Sequence, residues 1–288
     1  MAKRLALLLL LAVSALRAHA LQVVDDRGAI VDLPRPPQRV VSMLPSLTET
    51  VCELDACERL AGVDNYSNWP ERVLKLPRLG GVEDANIELI VSLKPDLVLL
   101  PASSRATTRL ESLGIKVFAL EVKTLDDVRR TLDKLGQVLG VAGADRVWSR
   151  MNAGMAAAAQ ELPPAVRGTS VYVEVDNGPY AASEASHVGE ILALLGVANI
   201  VPRALGSIPK LNPEFVVRAD PQVIVISDRE AASLRQRPGW SRIRAVRDGR
   251  ICALASIEND VVMRPGPRLA EAARIIVACL KAGAQERP

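Results

Sequence analysis

Asp260 and Arg264 stand four residues apart in the segment Ser256–Pro267, read as a loop. A carboxylate and a guanidinium at that spacing either pair with each other or offer an acceptor and several donors to a polar ligand. Tyr66, Trp69 and Tyr180 fall in stretches rich in Asn, Asp, Ser, Gly and Pro, a composition that marks loops. The chain has only three Trp, three Tyr and two Phe, so three aromatic rings on loops stand out. Such rings either plug gaps beneath a loop or form walls for a flat, bulky ligand. Ser46 adds a hydroxyl where Leu44-Pro45-Ser46 leads from a predicted strand into a predicted helix.

The residue types for catalysis and for bare-metal binding are scarce. The two histidines are His19 and His187, and a Gly-x-Ser-x-Gly elbow is absent from the sequence. No pair of carboxylates shows a spacing that assigns acid and base roles. Sites for bare zinc or manganese usually draw on several histidines. The four cysteines, Cys52, Cys57, Cys252 and Cys279, match no common zinc spacing. The expectation is binding without chemistry, with no catalytic residue, no metal ligand and no resident cofactor.

The first twenty residues read as an export signal. Lys3 and Arg4 precede an apolar stretch from Leu5 to Leu16, and Ala18-His19-Ala20 offers a cleavage site after Ala20. The apolar stretch is short for a bilayer span. The first cysteine is Cys52, too distant for a lipoprotein signal. A soluble, monomeric protein of the periplasm is expected. Three of the 36 Lys and Arg fall in that segment, so 33 remain against 33 Asp and Glu. A formally neutral chain argues against nucleic-acid and membrane partners. An oxidising compartment permits disulfides, and four cysteines allow three full connectivities. Cys52 and Cys57 would lie on different faces of a continuous helix. Cys252 and Cys279 either bridge or remain buried thiols.

A repeat sets the architecture. Asn86-Ile-Glu88 through Leu100 aligns with Asn212-Pro-Glu214 through Ile226 at a constant offset of 126. Asn, Glu, Val and Pro coincide, and each copy reads as a short helix, a proline stop and a buried strand. Upstream, a strand from Arg39, a helix over 46–60 and a strand over 60–63 parallel a strand at 170–175, a helix at 187–195 and a segment at 198–201. Downstream, 109–120 and 240–254 each read as helix, glycine turn and strand. Alternating strands and helices predict an α/β fold of two Rossmann-like lobes with parallel sheets, at 21–122 and 165–288. Between them 123–164 reads as a long, mostly helical linker, capped by Thr124, bent or broken near Gly140 and Gly143, and ended by Pro163-Pro164. A helical linker predicts a modest opening between lobes. Ligands of such sheets sit at the carboxyl ends of the strands.

These segments resemble the vitamin B12-binding periplasmic protein family of ABC importers, in the helical-backbone class of substrate-binding proteins. The resemblance is carried by Arg39-Val-Val-Ser, Pro45-Ser-Leu-Thr-Glu49, Gly62-Val-Asp-Asn-Tyr66-Ser-Asn-Trp-Pro70, Asn86-Ile-Glu88, Leu113-Gly-Ile-Lys-Val117 and Pro267-Arg268-Leu269, and it covers essentially the whole chain after Ala20. It implies that cobalamin or a related corrinoid is held between the lobes, with Tyr66, Asp260 and Arg264 at the site. It also implies that Glu88 and Glu214 dock onto arginines of an inner-membrane permease whose ATPase partners drive release. Several pocket tryptophans of that family are replaced, at Val82, Pro101 and Ile208, and Tyr180 stands where the family has a phenylalanine. Cys279 matches one cysteine of the family's disulfide, but the partner position is Leu195. A ferric siderophore or haem is the alternative ligand.

Overall fold

The structure, a computed structural model, describes residues 21–176 and 179–285, with side chains through Ala282. The segment read as a signal peptide lies outside the described residues. A hairpin of β1 (Leu21–Val24) and β2 (Ile30–Leu33) leads into β3 (Val40–Ser42), α1 (Pro45–Glu53), β4 (Leu60–Val63), α2 (Ile87–Ser92), β5 (Leu97–Pro101), α3 (Ala106–Ser112) and β6 (Val117–Leu120). Two long helices follow, α4 (Leu125–Leu139) and α5 (Ala144–Gln160). The second half holds β7 (Ser170–Asp176), β8 (Tyr180–Ala181), α6 (His187–Leu194), β9 (Ala198–Asn199), α7 (Pro213–Ala219) and β10 (Val223–Ser227). It closes with α8 (Asp228–Ala231), α9 (Arg244–Arg247), β11 (Ile251–Leu254), α10 (Ser256–Met263) and α11 (Leu269–Gln285).

The two sheets share one topology. The first runs β4-β3-β5-β6 and the second β9-β7-β10-β11, each parallel throughout. In the second, β8 is added antiparallel to the carboxyl end of β7. The repeat reaches single atoms. Asn86 and Asn212 each cap the helix that follows, accepting from the Leu89 and Glu214 amides. Lys94 and Asp220, one repeat apart, both adopt left-handed backbone, with φ of 48° and 45°. The Asp96 carboxylate accepts the Gln38 and Arg39 amides, and the Gln222 carbonyl accepts the Ser170 amide, so each pins the entry to its lobe's first strand.

Each sheet turns one face to its own outer layer and the other to a common core. Val41, Val98 and Leu100 face Leu79, Ile90 and Leu110 on one side. Tyr172, Ile224 and Ile226 face Trp240 on the other. The opposite faces, Val40, Leu97 and Leu99 in one lobe and Val171, Val173, Val223 and Val225 in the second, join a single cluster. The linker fills the space between. Val128, Leu132, Leu135 and Val138 of α4 and Val147, Met151 and Met155 of α5 belong to that cluster, as do Ala272, Ala273 and Ile276 of α11. At Gly154, an added Cβ would lie 2.6 Å from the Ala270 side chain, so α5 and α11 are packed backbone-close.

Local chemistry explains the linker ends. Thr124 and Asp127 form a capping box at the start of α4. Gly140 and Gly143 take positive φ, which breaks the linker into two helices rather than bending one. Arg130 and Lys134 of α4 hold Asp26 beside the hairpin, at 3.2 and 2.7 Å. Burial pushes the Asp26 carboxyl up, but Lys134, the Glu121 amide and Arg130 outweigh it and hold it below the usual carboxylate range.

Helix α1 is shorter than the span expected over 46–60. It stops at Glu53, the chain reverses through Asp55 at φ 58°, and Cys57–Arg59 forms a separate turn. Cys52 and Cys57 therefore do not sit on different faces of one helix. Their Cα atoms are 4.0 Å apart and the two are disulfide-bonded. Cys252 and Cys279 are also bonded, which ties β11 to α11 and leaves no free cysteine among the described residues.

His187 starts α6 and is buried where three parts of the chain meet. Its amide donates to the Lys123 carbonyl at 2.7 Å, and its ring Nε2 lies 3.1 Å from the Val262 carbonyl. Burial pushes the imidazole down to about 4, against the two backbone contacts. Between about 6.5 and 4 the unfolded chain takes up a proton that the folded chain refuses, so this contribution to stability is lost as pH falls through that window. The loss is roughly 3 kcal/mol in all. Urea unfolding at pH 7 and pH 4.5 should show a larger fall in stability for the wild type than for His187→Gln. Equal falls would contradict the assignment.

Candidate ligand-binding cleft

The carboxyl ends of the parallel strands form the candidate site. In the second lobe a cavity of about 240 Å³ opens at the ends of β7 and β10, lined by Glu174, Asp176, Ser227, Asp228, Glu230 and Asn259 among others. Glu174 is its buried floor. It accepts 2.7 Å hydrogen bonds from both Arg237 terminal nitrogens and a third from the Tyr172 hydroxyl at 3.1 Å. Arg237 in turn lies 4.6 Å over the Trp240 ring. Burial, then the Glu174 charge, push the Tyr172 hydroxyl far up, so it stays a donor. Glu174, Asp228 and Glu230 belong to no motif that marks a site in the sequence. Glu174 did leave a signal, as the one charged residue within the otherwise apolar run Val171–Val175.

In the first lobe, Asp64 organises the loop after β4. Its carboxylate accepts the Tyr66 amide at 2.8 Å and the Ser67 hydroxyl, and the chain of hydroxyls continues through Thr48 to Ser42 at 2.8 Å per step. Arg78 donates to the carbonyls of Asp64 and Ser67. Burial pushes the Asp64 carboxyl up, opposed by Ser67, the Tyr66 amide and the charge of Arg264. The backbone is thus pinned while its rings stand out: Tyr66 is 68% and Trp69 49% exposed. Exposed aromatics on a pinned loop make a ready wall.

The segment 256–267 is not all loop. Residues Ser256–Met263 form α10, with Arg264 as its C-cap, so Asp260 and Arg264 lie on one helical face and pair at 2.8 Å. They also bridge the lobes. Arg264 donates to Glu49 at 2.9 Å, to the Asn68 side chain at 2.7 Å and to the Tyr66 carbonyl at 3.0 Å. Asp260 accepts from Asn68 at 2.8 Å. Ser46 belongs to the same junction. It is buried, its hydroxyl has no hydrogen-bond partner, and an added Cβ on Gly266 would come within 3.4 Å of it. The close approach of Gly266 covers the Ser46 side chain, which was expected to face a ligand.

Tyr180 is on β8, half-exposed, with the Lys210 ammonium 5.8 Å over its ring and Ile208 exposed nearby in the chain. The structure thus brings Tyr66, Trp69, Asp260 and Arg264 together and places Tyr180 on the second lobe alone. Glu88 and Glu214 are exposed in the first turns of α2 and α7, one on each lobe. Among the described residues, no group of His, Cys, Asp and Glu is arranged to hold a metal, and no helix is long and apolar enough to cross a membrane.

Comparison with known proteins agrees with this geometry. The vitamin B12-binding protein of Vibrio cholerae is 27% identical over 258 residues, covering 86% of this chain and 91% of its own. The uncharacterised ABC transporter substrate-binding lipoprotein YvrC of Bacillus subtilis is 28% identical over 259 residues, 86% of this chain and 81% of its own. Among solved structures, the periplasmic haem-binding protein RhuT of Roseiflexus sp. RS-1 shares the fold with a TM-score of 0.73 at 24% identity, over 86% of this chain and 99% of its own. A family model described as periplasmic binding protein matches residues 40–257. With two matched α/β lobes meeting at the carboxyl ends of their strands, the chain belongs to the periplasmic binding protein family.

Proposed function

We propose that this chain is the periplasmic substrate-binding protein of an ABC importer and that its ligand is cobalamin or another corrinoid. The observation that carries the ligand class is the contrast between the two halves of the cleft. One half presents the exposed rings of Tyr66 and Trp69; the other is a cavity lined by Asp176, Asp228, Arg229 and Glu230, of which Glu230 also accepts from Arg237 at 3.1 Å. A corrin is a flat macrocycle with amide side chains. Its face suits aromatic walls and its amide N–H groups suit carboxylate acceptors. Four carboxylates, Glu174, Asp176, Asp228 and Glu230, stand there against two arginines, Arg229 and Arg237, so haem propionates and the carboxylates of many ferric siderophores would meet a net like charge. Asp260, Arg264 and Tyr180 complete the rim. Export through the N-terminal signal, delivery to a permease and ATPase pair, and release without chemical change to the ligand complete the reading.

One observation favours haem as a second reading: an exposed Tyr66 phenol is a possible axial ligand for iron. Mixing the mature chain with cobalamin, cobinamide, haem and a ferric siderophore, followed by absorbance and calorimetry, separates the two. Stoichiometric binding of a corrinoid, recovered unchanged, is expected, and Tyr66→Ala should weaken it about tenfold, close to the loss of one aromatic contact. Haem binding that disappears in Tyr66→Phe would reverse the assignment.

Glu88 and Glu214 are the proposed docking pair, supported by their equivalence in the repeat and their exposure on separate lobes. Replacing both by alanine should abolish binding to the permease complex in membranes while ligand affinity stays as in the wild type. Undiminished docking would remove this part of the proposal.

A further inference from the structure

Glu49 lies in α1 of the first lobe, 215 and 219 residues from its two partners. Its side chain is 2% exposed and sits between two guanidinium groups of the second lobe. Arg264 reaches it at 2.9 Å, and Arg268 at 3.2 Å to one carboxylate oxygen and 3.3 Å to the other. Both arginines are nearly buried, at 11% and 13% exposure. Each also holds part of the aromatic loop. Arg264 binds the Tyr66 carbonyl and the Asn68 side chain, and Arg268 lies 5.1 Å over the Trp69 ring.

We infer that Glu49 is a positioning residue: through Arg264 and Arg268 it fixes the Tyr66–Trp69 wall across the lobe junction and so sets ligand affinity without touching the ligand. A buried guanidinium needs a nearby anion. Asp260 serves Arg264, and Glu271 is 4.0 Å from Arg268, so Glu49 is the carboxylate common to both. With its charge removed, the arginines turn toward solvent. They then release the Tyr66 carbonyl, Asn68 and the face of Trp69. The wall must afterwards be ordered at the cost of binding energy. That cost appears mainly as faster dissociation.

The affinity arm rests on the ligand reading above; a ligand-free arm does not. Glu49→Gln keeps the shape and removes the charge, so it is the main variant, with Glu49→Asp as the conservative control. In the ligand-free protein, amide hydrogen exchange over residues 66–69 should quicken at least tenfold in Glu49→Gln, with β5 and β10 unchanged and Glu49→Asp intermediate. With cobalamin, the dissociation rate should rise at least tenfold in the wild-type background and change less than twofold when Trp69→Ala has already removed part of the wall. Unchanged exchange over 66–69 would overturn the inference whatever the ligand. So would full additivity of the two substitutions in a protein that binds cobalamin. A wild type that binds no corrinoid but shows the exchange effect would refute the ligand reading and leave the positioning role standing.

Discussion

The apolar cluster that runs from the first sheet, through α4 and α5, into the second sheet constrains everything else in the molecule. A typical two-lobed receptor could keep a separate core in each half and swing on a thin connection. Here the linker's apolar residues are part of both halves, and α5 lies against α11 closely enough that Gly154 has no room for a side chain. Interiors packed at crystal-like density resist sliding. Rotating one lobe against the other would disturb packing inside this shared cluster, and a core that cannot refill the space it loses is destabilised. The ion pairs of Asp26 with Arg130 and Lys134 fasten α4 to the first lobe, and His187 with Lys123 fastens the linker's entry to the second.

On the opposite, cleft side, the contacts are polar. Glu49, Asp260, Arg264, Arg268 and Asn68 form a junction in which every charge has an opposite neighbour. The division is physically reasonable. An apolar core supplies most of the association energy and has little directional preference. A hydrogen-bonded ionic junction adds little net stability but specifies geometry. The cleft walls thus inherit their position from a stiff back and a directional front, and the exposed rings of Tyr66 and Trp69 stand on a loop already pinned by Asp64 and Arg78.

The sequence made the architecture legible because the duplication is visible in residue types. Proline stops at Pro95 and Pro221, capping asparagines and buried strands all recur at one offset, and the structure extends that equivalence to the left-handed Lys94 and Asp220. Local exceptions were harder. Nothing in the residues 46–60 announces that Asp55 takes positive φ, and that one dihedral ends α1 and brings Cys52 to Cys57. Helix α10 was hidden by the Pro265-Gly266-Pro267 stop that follows it, although the spacing of Asp260 and Arg264 already suited a helix. Long-range pairing was the least legible. Glu49 stands within Pro45-Ser-Leu-Thr-Glu49, yet its partners lie more than two hundred residues away and only the fold brings them together.

If the lobes are held as described, ligand capture needs little rearrangement of the whole. Small-angle X-ray scattering of the mature protein, ligand-free and saturated with ligand, measures that directly. Superimposable profiles, both matching the arrangement with Glu49 between Arg264 and Arg268, are predicted. A ligand-free profile that fits only widely parted lobes, with marked compaction on binding, would contradict it.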